Sequence, residues 1–317
     1  MEPKATRIGY SEALLMLGEK DDRIVALDAD LAKSTSSARF RDKFPDRFFN
    51  MGIAEQNMVD VAAGLALSGK IPFASSYGVF VTGRAWEQMR TMVCYSKLPV
   101  RIAGHAGVSV GADGATHQAL EDIAIMNVLP NMHVFSPCDY YETIKATMAA
   151  AYVDGPAYIR FGRAPIPIIT EVDSPFEVGK ATIMKKGSDV TVVATGTMVN
   201  EALIASADLA NFGVSVEVVN LSTIKPLDGE TILNSVAKTG CAVTAEEHQI
   251  TGGIGSIIAS FLSLNLPVPL EMVGMGDRFG ESGEPFELLK HFHCNSCEIV
   301  QACLRAISRR QTSRVVL

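Results

Sequence analysis

The amino-acid sequence predicts an α/β fold in two domains, and three observations carry that reading. Over the first half, short apolar runs rich in β-branched residues alternate with stretches of helical period. The alternation breaks across residues 163–177, where Pro165, Pro167 and Pro175 interrupt any regular period, as in a linker. A second, shorter alternation follows. Such βα units favour parallel sheets with right-handed crossovers. The expectation is a parallel-sheet domain over residues 1–170 and a smaller α/β domain over 171–317.

In chain order, the first half offers strands at 24–28, 71–75, 100–103, 133–135 and 157–161. Between them lie helices at 10–18, 54–67, 83–95, 120–128 and 140–152, where apolar residues recur at helical spacing. The second half offers strands at 190–194, 214–220, 241–245 and 270–273, with helices at 199–211, 228–238, 255–262 and 299–308. No repeat of solenoid period interrupts this order.

Composition narrows the function. Of 317 residues, 48% are hydrophobic and 20% charged, the balance of a globular protein. No apolar run reaches the roughly 18 residues of a membrane span, and the N-terminus lacks a continuous apolar signal core. The expected location is cytoplasmic, with no membrane partner. A net charge of −7 argues against nucleic acid, which needs clustered Lys and Arg. Arg309, Arg310 and Arg314 form the one basic cluster and read as a solvated tail. Six cysteines in a chain of this length suggest reduced thiols rather than a disulfide scaffold.

Three short motifs suggest other chemistries. Gly107-Val-Ser109-Val-Gly111 matches a hydrolase nucleophile elbow, with His117 downstream, but a turn follows where that motif needs a helix. Gly253-Ile-Gly255 opens an apolar helix, yet Ile258 stands where a dinucleotide fingerprint needs its third glycine. His291, His293, Cys294 and Cys297 have zinc-like spacing, but run into an amphipathic helix.

More informative is Gly52-Ile-Ala-Glu55-Gln-Asn57, a carboxylate after a short strand in the first turn of an apolar helix. Alone, Glu55 reads as a charge complementing the helix dipole, worth about 0.3–1 kcal/mol. Its neighbours add weight. Tyr77 and Phe80 follow one helical turn apart, and His105, Asp113 and His117 share a Gly-rich loop after a strand, a usual place for catalytic groups.

Taken together, GIAEQN, FASSYGVFVTGRAWEQ, GHAGVSVGADGATHQALED and YIRFGR resemble, in that order, the pyrimidine-binding domain of the transketolase family. TIKPLD, AEEHQITGGIGS and GDRFGESG resemble its C-terminal domain. The likeness runs from about residue 6 to about residue 307, and is greatest to the C-terminal subunit of two-chain transketolases.

The resemblance implies thiamine diphosphate as cofactor and transfer of a two-carbon ketol unit from a ketose to an aldose, each free or phosphorylated. Glu55 matches the glutamate that bonds the cofactor's pyrimidine N1′ and so promotes loss of the C2 proton. Sharing a proton suits that role, and a water-poor pocket favours it. Phe80 matches the aromatic on which the pyrimidine stacks, with Tyr77 lining the same pocket. Asp30 matches an aspartate near the cofactor and subunit interface. His117 matches a contact to the donor's C1 hydroxyl or C2 oxygen, and Asp113 a contact to the substrate hydroxyl whose configuration is read. Arg7, Ser34, His105 and Arg163 match a substrate-phosphate site, where arginine supplies a fork of donors. The sequence departs from the family at Ala112, where an acidic residue commonly precedes the aspartate.

An absence bears on partners. Family members hold the diphosphate through Mg²⁺ with a Gly-Asp-Gly motif and a later asparagine, and this sequence has no Gly-Asp-Gly. The resemblance thus implies Mg²⁺ held by an N-terminal partner subunit in a two-plus-two heterotetramer. Rival readings are a 2-oxoacid dehydrogenase beta subunit, a split deoxyxylulose-phosphate synthase and a non-catalytic regulatory paralogue.

Overall fold

The computed structural model describes residues 2–315, with side chains described to residue 312. Its strands in chain order are β1 (Lys4–Ala5), β2 (Ile24–Asp28), β3 (Phe48–Asn50), β4 (Ile71–Tyr77), β5 (Arg101–His105), β6 (His133–Phe135) and β7 (Ala157–Phe161). Then come β8 (Pro165–Ile166), β9 (Thr182–Lys185), β10 (Val190–Ala194), β11 (Val216–Asn220), β12 (Thr223–Lys225), β13 (Ala242–Gln249) and β14 (Leu270–Met275). The first large sheet has the order β12-β6-β7-β5-β4-β2-β3, and the second β14-β13-β10-β11-β9. Both are parallel except at one edge, where β12 runs against β6 and β9 against β11.

The predicted strands are all present, and most of them are runs of Val, Ile and Ala buried on both faces between helices, with the edge strand β14 half-exposed. Helix boundaries have local causes. Asp139 caps Tyr140–Ala150 by accepting from Glu142 N at 2.9 Å, and Asp228 caps Gly229–Thr239 by accepting from Thr231 N at 3.2 Å. Gly240, left-handed at φ 73°, ends the latter.

Three readings of the sequence are corrected. The linker segment is not unstructured at its start: Pro165 and Ile166 form β8, paired with β1 in register Ala5↔Pro165. A two-stranded ribbon tolerates proline because edge strands leave N–H groups unused. The helix expected at 83–95 instead begins at Gly78, breaks at Ala85 and ends in a π turn, Met89–Cys94. Tyr77 is therefore the last residue of β4, and only Phe80 lies on the helix. Nor is the basic cluster a free tail, although Arg309 stays exposed. Arg309 donates to Glu271 Oε1 at 2.6 Å and Arg310 to the Asp189 carbonyl at 2.7 Å, clamping the last helix to the second sheet. The Arg314 side chain lies outside the described residues.

The two halves share structure. β12 follows residue 171 in sequence yet completes the first sheet, and one apolar cluster joins Val25, Met58 and Ile102 to Val219, Ile232 and Ile254. Among the described residues no helix is long and apolar enough to cross a membrane.

Candidate active site

Parallel strands point their carboxyl ends the same way, and the residues singled out from the sequence gather there. β2 ends at Asp28, before Asp30 and Ser34; β3 at Asn50, before Glu55; β4 at Tyr77; β5 at His105; β7 at Phe161, before Arg163. Two glycines let these ends close up. A Cβ on Gly78 would stand 2.5 Å from the His105 carbonyl, and one on Gly104 2.9 Å from Gly78 Cα.

Glu55 opens the Glu55–Leu67 helix and is 3% exposed. Its Oε2 accepts from Arg84 Nη1 at 3.1 Å, and Ser76 Oγ lies 3.5 Å from Oε1. The carboxylate lines a cleft of about 480 Å³ with Ile53, Gln56 and Arg84. Phe80 is next, its ring under the Arg84 guanidinium and 5.9 Å from Tyr77, centroid to centroid. His117 packs edge-on to both aromatics at 5.1 Å, its Nδ1 3.0 Å from Thr116 Oγ1.

The same aromatics lead to a charged cluster. Tyr77 Oη donates to Asp113 Oδ2 at 2.6 Å, and Arg163 Nη1 donates to Tyr77 Oη at 3.1 Å while pairing with Asp113. Partial burial works to raise the Asp113 carboxyl, but the Tyr77 bond and the Arg163 charge hold it below the usual aspartate value. Arg7 arrives through the β1–β8 ribbon: its N–H donates to the Gly162 carbonyl at 3.2 Å, and Thr6 Oγ1 accepts from Gly162 N at 2.6 Å. Burial, then the like charge of Arg163, push Arg7 below the usual guanidinium value. Its Nε is buried without a hydrogen-bond partner. Two close guanidiniums with one unmet donor suit an anion. They line a cleft of about 340 Å³ with Ala112 and, from the C-terminal half, Glu284, Pro285 and Phe286.

His105 sits differently from the expectation, and Asp30 lies apart from the cluster on a face open to a partner subunit. His105 is fully buried beneath Tyr77 and Phe161, and its Nε2–H donates to the Ser34 carbonyl at 2.8 Å. Burial, with Arg7 nearby, pushes its pKa down to about 3, so the ring is neutral. Here it holds the Ser34 loop instead of facing the cleft. Arg7 Nη1 donates to the same carbonyl at 2.9 Å. Asp30 is exposed, with φ 64°, and accepts from Asn50 Nδ2 at 3.1 Å. It lies on the surface, outside the charged cluster.

Sequence reasoning missed the supports. Asp28, fully buried, accepts from Leu31 N, Thr35 Oγ1 and Ser37 Oγ, and so shapes the loop carrying Asp30 and Ser34. Glu247 accepts from Ser109 N and Thr197 Oγ1, and Gln118 donates to the Val108 and Glu281 carbonyls, pinning the Gly-rich loop. At Gly107, φ 92° and an ideal Cβ 2.4 Å from the Glu247 carboxyl leave room only for glycine. Arg84 had one available signal, its spacing of four from Phe80 on a helix.

The competing motifs resolve on geometry. Ser109 lies in a 3₁₀ segment with its N–H held by Glu247, where a hydrolase elbow would lead straight into an α-helix. The helix behind Gly253-Ile-Gly255 is already capped: Ile254 and Gly255 N–H donate to Glu246 at 2.7 and 2.8 Å. Among the described residues no three His, Cys, Asp or Glu side chains converge as a metal site.

Residues 2–167 match the family model of the transketolase pyrimidine-binding domain, and residues 179–299 that of the transketolase C-terminal domain. A transketolase C-terminal section of Methanocaldococcus jannaschii is 46% identical over 96% of this chain and 97% of its own. A 6-deoxy-6-sulfo-D-fructose transketolase subunit of a Clostridium species is 42% identical over 98% and 97%. A solved split-gene transketolase, an inactive beta4 tetramer, superposes with TM-score 0.90 at 45% identity, over 97% of this chain and 99% of that one. The chain belongs to the transketolase family, as a C-terminal subunit of the split type.

Proposed function

We propose that this chain is the pyrimidine-binding subunit of a thiamine-diphosphate-dependent transketolase that moves a two-carbon ketol unit from a ketose phosphate to an aldose phosphate. The observation that carries the reading is the buried Glu55 carboxylate, set beside Phe80 and connected through Tyr77 to the Arg7–Arg163 pair. When bound, the cofactor supplies the carbon centre that accepts and passes on the two-carbon unit. Glu55 would bond its pyrimidine, and the burial of its own carboxyl strengthens such a bond. Phe80 offers the stacking face, with Tyr77 closing the pocket. Arg7 and Arg163 would hold the substrate phosphate, with His105 fixing the Ser34 loop behind them. Asp113, bonded to the Tyr77 hydroxyl, and His117, packed edge-on to the Tyr77 ring, would contact substrate hydroxyls.

The chain supplies no Gly-Asp-Gly motif, so Mg²⁺ and the diphosphate fall to an N-terminal partner subunit in a two-plus-two assembly. The inactive beta4 tetramer of the solved relative supports dependence on a second chain. The Clostridium relative acts on a sulfosugar by its name, which supports an anionic group on the substrate.

The test is hydrogen–deuterium exchange at the cofactor's C2 by the reconstituted two-chain enzyme. Glu55→Gln should slow it by about 10²–10⁴-fold, the usual size of a general acid–base contribution. A loss of only two- or threefold refutes the role of Glu55. Preferred decarboxylation of pyruvate instead of ketol transfer refutes the transketolase assignment.

A further inference from the structure

Arg84 stands where the proposed function places the cofactor's aminopyrimidine. Its Nη1 donates to Glu55 Oε2 at 3.1 Å, the carboxylate that would bond the ring nitrogen. Its guanidinium carbon lies 4.3 Å from the centroid of Phe80, the ring on which the pyrimidine would stack. A guanidinium is flat and delocalised, donates hydrogen bonds at its edge and is drawn to an aromatic face. An aminopyrimidine held between a carboxyl group and a phenyl ring has the same flatness and stacking face, and its N1′ would share the carboxyl proton at the edge where the guanidinium donates. One short helix makes both contacts possible, because Phe80 and Arg84 stand four apart on Gly78–Arg84 and share a face. The Arg84 side chain is 50% exposed, so it has solvent to one side, whereas the Glu55 side chain is 3% exposed.

We propose that Arg84 is a self-occupying gate: its guanidinium fills the pyrimidine seat of the chain alone, and cofactor binding displaces it. The inference rests on the proposed function. A half-exposed ion pair with a cation–π contact is a modest hold, favouring the closed form by roughly 3- to 10-fold. Apparent cofactor affinity falls by the fraction of chains that are open, and removing the gate restores it.

The experiment is calorimetric titration of thiamine diphosphate, with saturating Mg²⁺, into the two-chain assembly carrying wild type, Arg84→Met, Arg84→Gln, Glu55→Gln or the Glu55→Gln/Arg84→Met pair. Arg84→Met and Arg84→Gln should each bind about 3- to 10-fold more tightly than wild type. In the Glu55→Gln background the gain from Arg84→Met should shrink to within about twofold, since one of the two contacts holding Arg84 is already gone. Two Arg84 substitutions of different chemistry guard against a folding artefact in either. Unchanged or weaker binding by both overturns the gate, and weaker binding shows that Arg84 helps hold the cofactor. Absence of binding by every assembly, wild type included, overturns the cofactor assignment itself and the gate with it.

Discussion

Replacing Arg163 with alanine separates two jobs that the structure gives one guanidinium. Arg163 pairs with Asp113 and bonds Tyr77 at 3.1 Å, and it also lines the cleft shared with Arg7. The two ion-pair side chains are 35% and 29% exposed, so the Asp113 pair is worth at most about 1 kcal/mol. A hydrogen bond from Arg163 to a charged substrate group contributes about 1.5–3 kcal/mol. At about 1.4 kcal/mol per factor of ten, kcat/KM for a phosphorylated ketose should fall roughly 10- to 150-fold. With an unphosphorylated ketose or hydroxypyruvate the Asp113 and Tyr77 contacts are lost but no phosphate contact is, so the fall should be smaller by about tenfold or more. Both substrates are assayed on wild type and Arg163→Ala, with partner chain, cofactor and Mg²⁺ saturating. Asp113→Asn is the control, since it weakens the ion pair but keeps the phosphate donor, and it should affect the phosphorylated and unphosphorylated ketose alike, because both carry the hydroxyl that Asp113 would contact. Equal losses for Arg163→Ala on both substrates would refute the phosphate role and assign Arg163 to loop structure.

Three other expectations follow from burial and close contact. His105 is held to a pKa of about 3 against an ordinary 6.5, so the unfolded chain gains a proton that the folded chain refuses as pH drops below about 6.5. Stability should fall between about pH 6.5 and 3 by urea denaturation, and His105→Gln should flatten that fall; parallel curves would show that His105 does not titrate this way. Gly253→Ala should lower stability by about 1–3 kcal/mol, because its Cβ would meet Glu246 Oε2 at 2.0 Å; an unchanged melting temperature would contradict the packing. Gly64→Ala, in the last turn of the Glu55–Leu67 helix with nothing within 4 Å of its Cβ, should raise stability by about 0.5–1 kcal/mol in the same assay, and a loss would contradict it.

Much of this was legible in the sequence where one physical signal dominates. Strands such as 190–194 are continuous β-branched runs buried on both faces, and a run of that kind admits few other structures. β12 was not legible, because its three residues carry no period and their pairing with β6 depends on tertiary contact alone. The helix start at Gly78 was hidden because the strand and the helix meet without a loop, at a glycine chosen for close approach to β5. For the site, residue types and spacing drew attention to Glu55, Phe80 and Asp113, and the family resemblance added Arg163. Spacing says nothing about depth, so the sequence could not show that His105 lies under the cleft or that Asp30 lies on the surface. Arg84 and Asp28 escaped for the same reason: each acts through a neighbour brought close by folding.

Reconstitution tests the central claim most directly. Ketol transfer from a ketose phosphate to an aldose phosphate is measured for the purified chain alone and after adding an N-terminal transketolase subunit that carries the diphosphate-binding motif, both with thiamine diphosphate and Mg²⁺. No transfer is expected from the chain alone, and turnover should rise with the partner until the two are equimolar. Robust turnover by the chain alone would contradict this.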